Sequence, residues 1–576
     1  MKIHTFIRSV TFVSIIFLIP DFLFAQNNYP WPVTPFDQNH LITGTFCEYR
    51  STTTPAHFHN GTDIPKADGS PVYSVRDGIV TTIYGVGSNA YVRVQDKAYV
   101  HISPNPSLSV GDSVYASQTI LGYILSGQGH VHFTNGYAGA EVNSMLTTNS
   151  FTPLVDTWAP DINYVLFYQN NTSNQFTTNE LSGPVDIIVK VSEKNGPPGS
   201  STSVLNNGTY KIGYRILSED SSTVVYEPPN GGLRFQFNSK PNNSYVDIVF
   251  FRSLSSTSSH VYQVTNNLTS DNYWDTRSVS TGNYVVMVFT EDTRGNGTTA
   301  YIPVRIVPQD VTPPEQPLFK ALKGRENDIH LSWYPNSAPD LLGYRLFFSY
   351  DNVLWTLFRD ETVLTPAITD TSLRLVLNTD VYFQLTAVDN APLPNESIPS
   401  DIYGLSNGSS FQGKVLLVDG FDRIDGAWPN PYHFFGFTYG TALTDNGFSF
   451  DTVPNEAVED SLVNLNDYEA VVWFLGDESI SDETFSNQEQ LLIMDYLENG
   501  GNLFVNGSRI ATDLDPDAGT GATTADELFL NDYLKADFQK FDTTGKMAAG
   551  VNGTIFDGIS LAFGQIPYGV DSADVL

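Results

Sequence analysis

A chain of 576 residues is too long for one domain of roughly 100–200 residues, so three to five domains are expected. Its 29 Lys and Arg against 63 Asp and Glu leave a net charge of −34, which repels phosphate backbones and anionic bilayers, so neither nucleic acid nor anionic membrane is an expected partner. The single cysteine, Cys47, excludes a disulfide scaffold and a Cys-rich metal site, leaving the ten histidines and the carboxylates to supply any tight transition-metal site. A charged fraction of only 16 %, 13 % aromatics, 44 Gly and 33 Pro fit turn-rich β modules better than disorder.

Residues 1–25 read as an export signal: Lys2 and Arg8 form a basic start, Val10 to Pro20 is mostly apolar, and Leu-Phe-Ala ends at Ala25. The apolar run is shorter than the ~20 residues a membrane span needs, so a secreted, periplasmic or cell-surface protein is expected. From 26 to 155 the chain alternates in short runs such as PVYSVRDGIVTTIY (71–84) and LSVGDSVYASQTILGYI (108–124), an all-β module. From 156 to 310 a second β pattern ends in two alternating runs around a turn at Asp292, Gly295 and Asn296, in the manner of the last hairpin of an immunoglobulin-like sandwich. The Pro-rich seam VTPPEQP (311–317) opens a stretch to 410 whose Trp333, Tyr344 and Tyr382 have spacings that resemble a fibronectin type III module, with Trp333 in the core and Tyr382 as corner tyrosine.

From 411 to 576 the pattern changes. KVLLVDG and AVVWFLGD are continuous apolar runs of buried parallel-strand type, and QEQLLIMDYLENGGNLFVNGS reads as a helix, a glycine stop and a strand. An α/β domain of flavodoxin- or amidotransferase-like type is expected, incomplete at DSADVL. Asp419, Asp422 and Asp477 fall at strand ends, where open α/β sheets bind ligands and where turns also place acids. An amidotransferase nucleophile would be a cysteine, and Cys47 lies in another module. Asp513, Asp515 and Asp517 approximate a calcium loop, but the glycine falls one place late and Thr524 stands at the twelfth position, so an acidic surface loop is expected.

Five of the ten histidines, His57, His59, His101, His130 and His132, crowd into the first module. In HFHNGTDIP an extended backbone would hold His59 and Asp63 about 13 Å apart, so sharing an ion requires the bend that Gly61 permits. In GHVHF, His130 and His132 sit at i and i+2 and face the same way on a strand. His59, Asp63 and one of the pair supply the three nitrogen or oxygen ligands of a catalytic zinc. The other, with His101 on the alternating run AYVHIS, stands beside the fourth position.

These residues carry a family resemblance. HNGTDIPKADGSPVYSVRDGIVTTI resembles the first signature of the lysostaphin-like (LytM-type) zinc endopeptidases, YVHIS their Y-x-H-L segment, VGDSVYASQTILGYI their V-x-x-G-x-x-V-x-x-G-Q-x-I-G, and GHVHF their closing H-L-H-F, in that order between residues 44 and 137. The resemblance implies His59, Asp63 and His132 as ligands of one Zn2+, His101 and His130 as the catalytic pair, and peptide bonds of peptidoglycan cross-links or stem peptides as substrate. His57 matches no ligand position and is expected at a rim. Thr134 in place of an acid, the short turn LSGQG, and Ala116 and Ser117 where a basic residue and Gly are usual depart from the pattern and reshape groove walls. The expected fold class is therefore multidomain and mainly β: an all-β lysostaphin-like peptidase module, two β-sandwiches and a C-terminal α/β domain. Two alternatives stand beside a wall-cutting zinc peptidase: a non-catalytic surface adhesion protein on a peptidase-like scaffold, and a peptidase acting on secreted proteins. Autoinhibition by the short segment before the first motif is not expected.

Overall fold

The computed structural model describes residues 28–197, 207–325, 328–374, 380–406, 411–423, 430–478, 480, 483–542, 547–562 and 573–575; the export signal read at 1–25 lies outside them. The chain is multidomain and mainly β, with two compact units, 1–309 and 310–576. Among the described residues no helix is long and apolar enough to cross a membrane.

The first unit opens with a six-stranded sheet in the order Thr62–Pro65, His130–Asn135, Lys97–Val100, Tyr91–Val94, Gly78–Tyr84, Ser113–Val114. A three-stranded sheet of Pro71–Tyr73, Ile120–Ile124 and Ile102–Pro104 accompanies it. Alternation decides what faces inward: in His130–Asn135, Val131 and Phe133 are fully buried in a core shared with Trp31, Tyr99 and Phe151, which sends His130 and His132 to the opposite face. Phe133 packs at tilted and edge-on angles against the rings of Tyr29, Tyr99 and Phe151.

Later in the same unit, two further sheets are built on the long strands Asp161–Gln169 and Pro184–Ser192, and on Lys211–Ser218, Gly282–Glu291 and Gly297–Ile306. The hairpin expected around Asp292 pairs Gly282–Glu291 with Gly297–Ile306 over its full length. This second β assembly packs directly on the first. Phe250 contacts the rings of Tyr49 and Phe58, and Asn195 and Asn207 both donate to the Ile42 carbonyl.

In the second unit, the sheet Phe319–Arg325, Asp328–Trp333, Asp370–Arg374 faces the strands Thr356–Arg359, Leu341–Ser349, Val381–Asp389 and Tyr403–Leu405, a three-on-four sandwich with Trp333 and Tyr344 in its core. That second sheet does not stop near 410. Leu405 pairs antiparallel with Asp451, and the sheet continues through the parallel strands Ser449–Pro454, Lys414–Asp419, Ala470–Phe474 and Leu503–Asn506. The parallel part has the order 2-1-3-4 of flavodoxin-type sheets. Tyr382 turns toward this α/β part and not into the sandwich core: its ring packs with Phe437 and Phe450, and its hydroxyl lies 3.3 Å from the Thr441 hydroxyl. It is a joint residue, not a corner tyrosine. The expected helix forms at Asn487–Glu498, begun by a capping box in which the Ser486 hydroxyl accepts from the Glu489 N–H and the Glu489 carboxylate accepts from the Ser486 N–H. Ala573–Val575, where no last strand was expected, pairs with Lys540–Asp542.

Truncating a fully buried aromatic ring costs about 3–5 kcal/mol. Phe133→Ala is therefore expected to lower the denaturant midpoint of the first unit's transition by that equivalent while leaving the second unit's transition in place, a difference that unfolding of the full chain followed by fluorescence resolves.

Candidate metal centre

The site is assembled by one strand pairing. Thr62–Pro65 and His130–Asn135 run antiparallel with His132 opposite Asp63 and His130 opposite Pro65, and on its other side His132 lies opposite Val100. His59 precedes the first strand, its N–H donating to the Glu48 carbonyl at 2.8 Å. The outcome is a cluster in which one ligand atom each from His59, Asp63 and His132 lies within 4.8 Å of the others. His59 Nε2 is 3.0 Å from His132 Nδ1, and Asp63 Oδ1 is 3.2 Å from the former and 2.9 Å from the latter.

Nitrogen identity follows from the backbone. The Nδ1 of His59 lies 2.7 Å from the Thr45 carbonyl, that of His101 2.7 Å from the Ser88 carbonyl and that of His130 2.6 Å from the Gln128 carbonyl. A carbonyl only accepts, so each of these Nδ1 atoms carries the proton and each Nε2 offers its lone pair. His132 presents Nδ1 instead. His101 sits beside the triad with its ring centroid 4.9 Å from that of His130 and 5.8 Å from that of His132. Its φ of 65° places a non-glycine residue in the left-handed region between two strands, a strained geometry of the kind that accumulates at functional sites. His57 stands on the wall of the groove, with Nδ1 3.1 Å from the Thr53 hydroxyl.

Two glycines make the closeness sterically feasible. A Cβ at Gly61 would lie 2.6 Å from His132 Nε2, and one at Gly44 would lie 2.3 Å from Asp63 Oδ2. Neither distance leaves room for a side chain. Burial raises the Asp63 carboxyl, but His59 and His132 at close range outweigh it and hold the group well below the usual carboxylate range. Burial pushes His132 down to about 4, with Asp63 opposing, and it also lowers His101, so both imidazoles are neutral at pH 7. Neutral imidazoles and an ionised carboxylate are the protonation states a metal requires. Two nitrogens and one oxygen in a buried cluster fit zinc with one position left over.

Arg50 and Glu48 belong to the site and were not singled out in the sequence. Arg50 Nη2 donates to Asp63 Oδ2 at 3.2 Å and its Nη1 to Glu48 Oε2 at 2.6 Å, so the arginine holds the carboxylate oxygen that faces away from His59 and His132. Glu48 is itself fixed by the Thr45 N–H and hydroxyl and by the Gly208 N–H. The one available signal is an arginine in a base-poor chain just before the histidine cluster. The cluster opens into a groove of about 880 Å³ whose walls include Thr43, Tyr91, Arg93, Gln128 and, from the second β assembly, Thr257 and Ser258.

The other acids flagged in the sequence lie in the second unit, Asp419 at the end of the strand Lys414–Asp419 and Asp513 in the short helix Ile510–Leu514. Asp419 accepts from the Phe421 N–H and Asp477 from the Ser508 hydroxyl. Asp513 accepts from Thr484 and Asp515 from the Asp517 and Phe538 N–H groups. The Asp422 N–H donates to Glu478 at 2.9 Å.

No protein-family model and no curated protein matches the chain. Among solved structures it is similar to a zinc-containing peptidase from Vibrio cholerae, at 23 % identity over 20 % of this chain and 39 % of that one with a TM-score of 0.18. It is also similar to the FN1–FN3 domains of chicken CNTN1, at 12 % identity over 58 % of this chain and 99 % of that one with a TM-score of 0.23. A third similarity is to domains A168–A170 of titin, at 14 % identity over 58 % and 98 % with a TM-score of 0.20.

Outer partners of metal ligands typically contribute 10–100-fold in affinity. Arg50→Ala and Gly44→Ala are each expected to weaken zinc binding by about that factor in competition titrations with a chromophoric chelator. The depressed His132 sets a pH dependence for metal-free protein. Between pH 4 and 6.5 the unfolded chain binds a proton there that the folded chain does not, so stability rises with pH across that window. His132→Gln should flatten that rise in unfolding midpoints measured from pH 4 to 7.

Proposed function

We propose that the chain is an exported zinc-dependent peptide hydrolase acting on peptidoglycan cross-links or stem peptides. The observation that carries the reading is the convergence of His59, Asp63 and His132 on one point, with His101 and His130 lining the same groove and His130 Nε2 3.7 Å from Asp63 Oδ1. The four motif blocks shared with lysostaphin-like endopeptidases support the same class. Zinc would be held by His59, Asp63 and His132 and would supply Lewis acidity toward a water and a peptide carbonyl.

The remaining steps belong to protein groups. His130 and His101, each anchored through Nδ1–H on a backbone carbonyl, present basic Nε2 atoms that accept the proton of the attacking water, deliver one to the departing amine and donate to the oxyanion of the tetrahedral intermediate. Burial keeps His101 unprotonated at the start of the cycle, as an acceptor must be. The anchoring carbonyls hold both rings in one tautomer. The open groove receives an extended peptide between Thr43 and Tyr91, and Arg93 offers a cation to a peptide carboxylate. A non-catalytic adhesion role has one observation in its favour: β-sandwich and α/β elements make up most of the described chain.

Zinc content and product release from intact cell walls, read by mass spectrometry with and without chelator, decide between these. Stoichiometric zinc is expected, with cleavage abolished by chelation and restored by zinc. His130→Ala should retain zinc and lose about 10²–10⁴-fold in rate. Cleavage that survives chelation refutes the zinc mechanism. Wall binding without cleavage by zinc-loaded protein favours the adhesion reading, and cleavage of unfolded secreted proteins but not of walls moves the substrate to proteins.

A further inference from the structure

A second group of oxygen donors lies in the first unit, away from the histidines. Asp156 sits just before the strand Asp161–Gln169, Glu193 just after Pro184–Ser192, and Asp292 in the turn after Gly282–Glu291. One carboxylate oxygen from each lies within 4.8 Å of the others. Oxygens bound to one calcium at about 2.3–2.6 Å are at most roughly 4.6–5.2 Å apart, so the spacing admits a shared ion.

The three acids differ in what already occupies them. Asp292 is fixed by the Arg294 and Asn296 N–H groups and the Asn296 amide, and Asp156 Oδ1 by the Trp158 and Gly196 N–H groups. Asn296 also donates to the Asp156 carbonyl, tying the two segments together. Glu193 is different. Its side chain is 2 % exposed, its oxygen points into the cluster, and among the described residues its carboxylate accepts no hydrogen bond and joins no ion pair. Directly across the backbone bridge from Glu193, and therefore on the same face, Asn207 is fully buried with an amide oxygen that accepts nothing.

The nearby cations are committed elsewhere. Arg294 donates to the Met145 and Leu146 carbonyls, and Lys194 reaches Asp161 at 3.7 Å and the Trp158 ring. Burial raises all three carboxyls, Asp156 to about 6, and repulsion from the neighbouring acids adds to it at Asp156 and Glu193. Arg294 attracts Asp156 and Asp292, but one arginine against three buried carboxylates leaves the cluster undercompensated, which is costly. We infer that Asp156, Glu193 and Asp292 form a binding site for a hard divalent cation, calcium, at the end of the second β assembly that packs on the first. All-oxygen donors with three carboxylates suit calcium and not zinc.

The site has a mechanical role. Two residues after Glu193, Asn195 exchanges two hydrogen bonds with Ile42, and two residues after Asp292, Arg294 holds the 145–146 backbone. Occupancy therefore clamps the two β assemblies against each other, independently of the histidine site and of its proposed chemistry.

The test is calcium titration of full-length, zinc-loaded protein by calorimetry, with thermal unfolding in parallel. Binding in the 10⁻⁵–10⁻³ M range is expected, together with a rise of at least about 3 °C in the first unit's midpoint at saturating calcium. Glu193→Gln and Asp292→Asn should each weaken binding at least about tenfold and abolish the rise, whereas His132→Ala should leave calcium binding intact. Asp156→Asn serves if Glu193→Gln fails to fold by circular dichroism. The proposal is overturned if wild-type protein takes up no calcium at about 10 mM, or if the folded variants bind it with wild-type affinity.

Discussion

The register between Thr62–Pro65 and His130–Asn135 is the constraint on which the rest of the first unit depends. With His132 opposite Asp63, the same two strands place Val131 and Phe133 in the core and two histidines in the groove. A slip of one residue would exchange those faces and lose both the core and the cluster. Packing energy from the apolar side thus holds the polar side in place, and the polar side is costly to hold. Gly61 and Gly44 leave space where a methyl group would collide with His132 and Asp63, and Arg50 neutralises the carboxylate that the histidines leave half-satisfied.

Burial has opposite consequences at the two acidic sites of this unit. Asp63 is enclosed yet held ionised, with His59 and His132 against one carboxylate oxygen and Arg50 donating to the other. Glu193 is enclosed as deeply, but its neighbours are other acids, so the same desolvation drives it toward the neutral form. A carboxylate's surroundings, not its depth, decide whether it is ready to meet a cation or must wait for one.

Much of this architecture was legible in the chain. The i, i+2 histidines on an alternating run, the hairpin around Asp292, the continuous apolar runs of Lys414–Asp419 and Ala470–Phe474 and the glycine-stopped helix before Leu503–Asn506 are local patterns, and local patterns survive without three-dimensional context. What was not legible depends on pairing between distant segments. Nothing near Arg50 announces that it will reach Asp63, and the groove wall supplied by Thr257 and Ser258 comes from a stretch with no catalytic pattern. Tyr382 illustrates the same limit: its spacing fits a sandwich corner, but the strand beside it continues into a parallel sheet, and the ring follows the larger apolar surface on that side. Asp156, Glu193 and Asp292 each resemble an ordinary turn acid until the fold brings them together.

The packing of Phe250 on Tyr49 and Phe58 has a consequence for how the histidine-bearing module can be inherited or excised. A fragment ending at residue 155 would leave those two buried rings facing water, remove the Gly208 N–H that steadies Glu48, and so loosen Arg50 behind Asp63. The ligand cluster is therefore not a portable cassette. Its outermost support is built from a different stretch of chain, and a gene fusion or truncation that keeps every histidine while discarding that stretch would keep the letters of the motif without the frame that holds them.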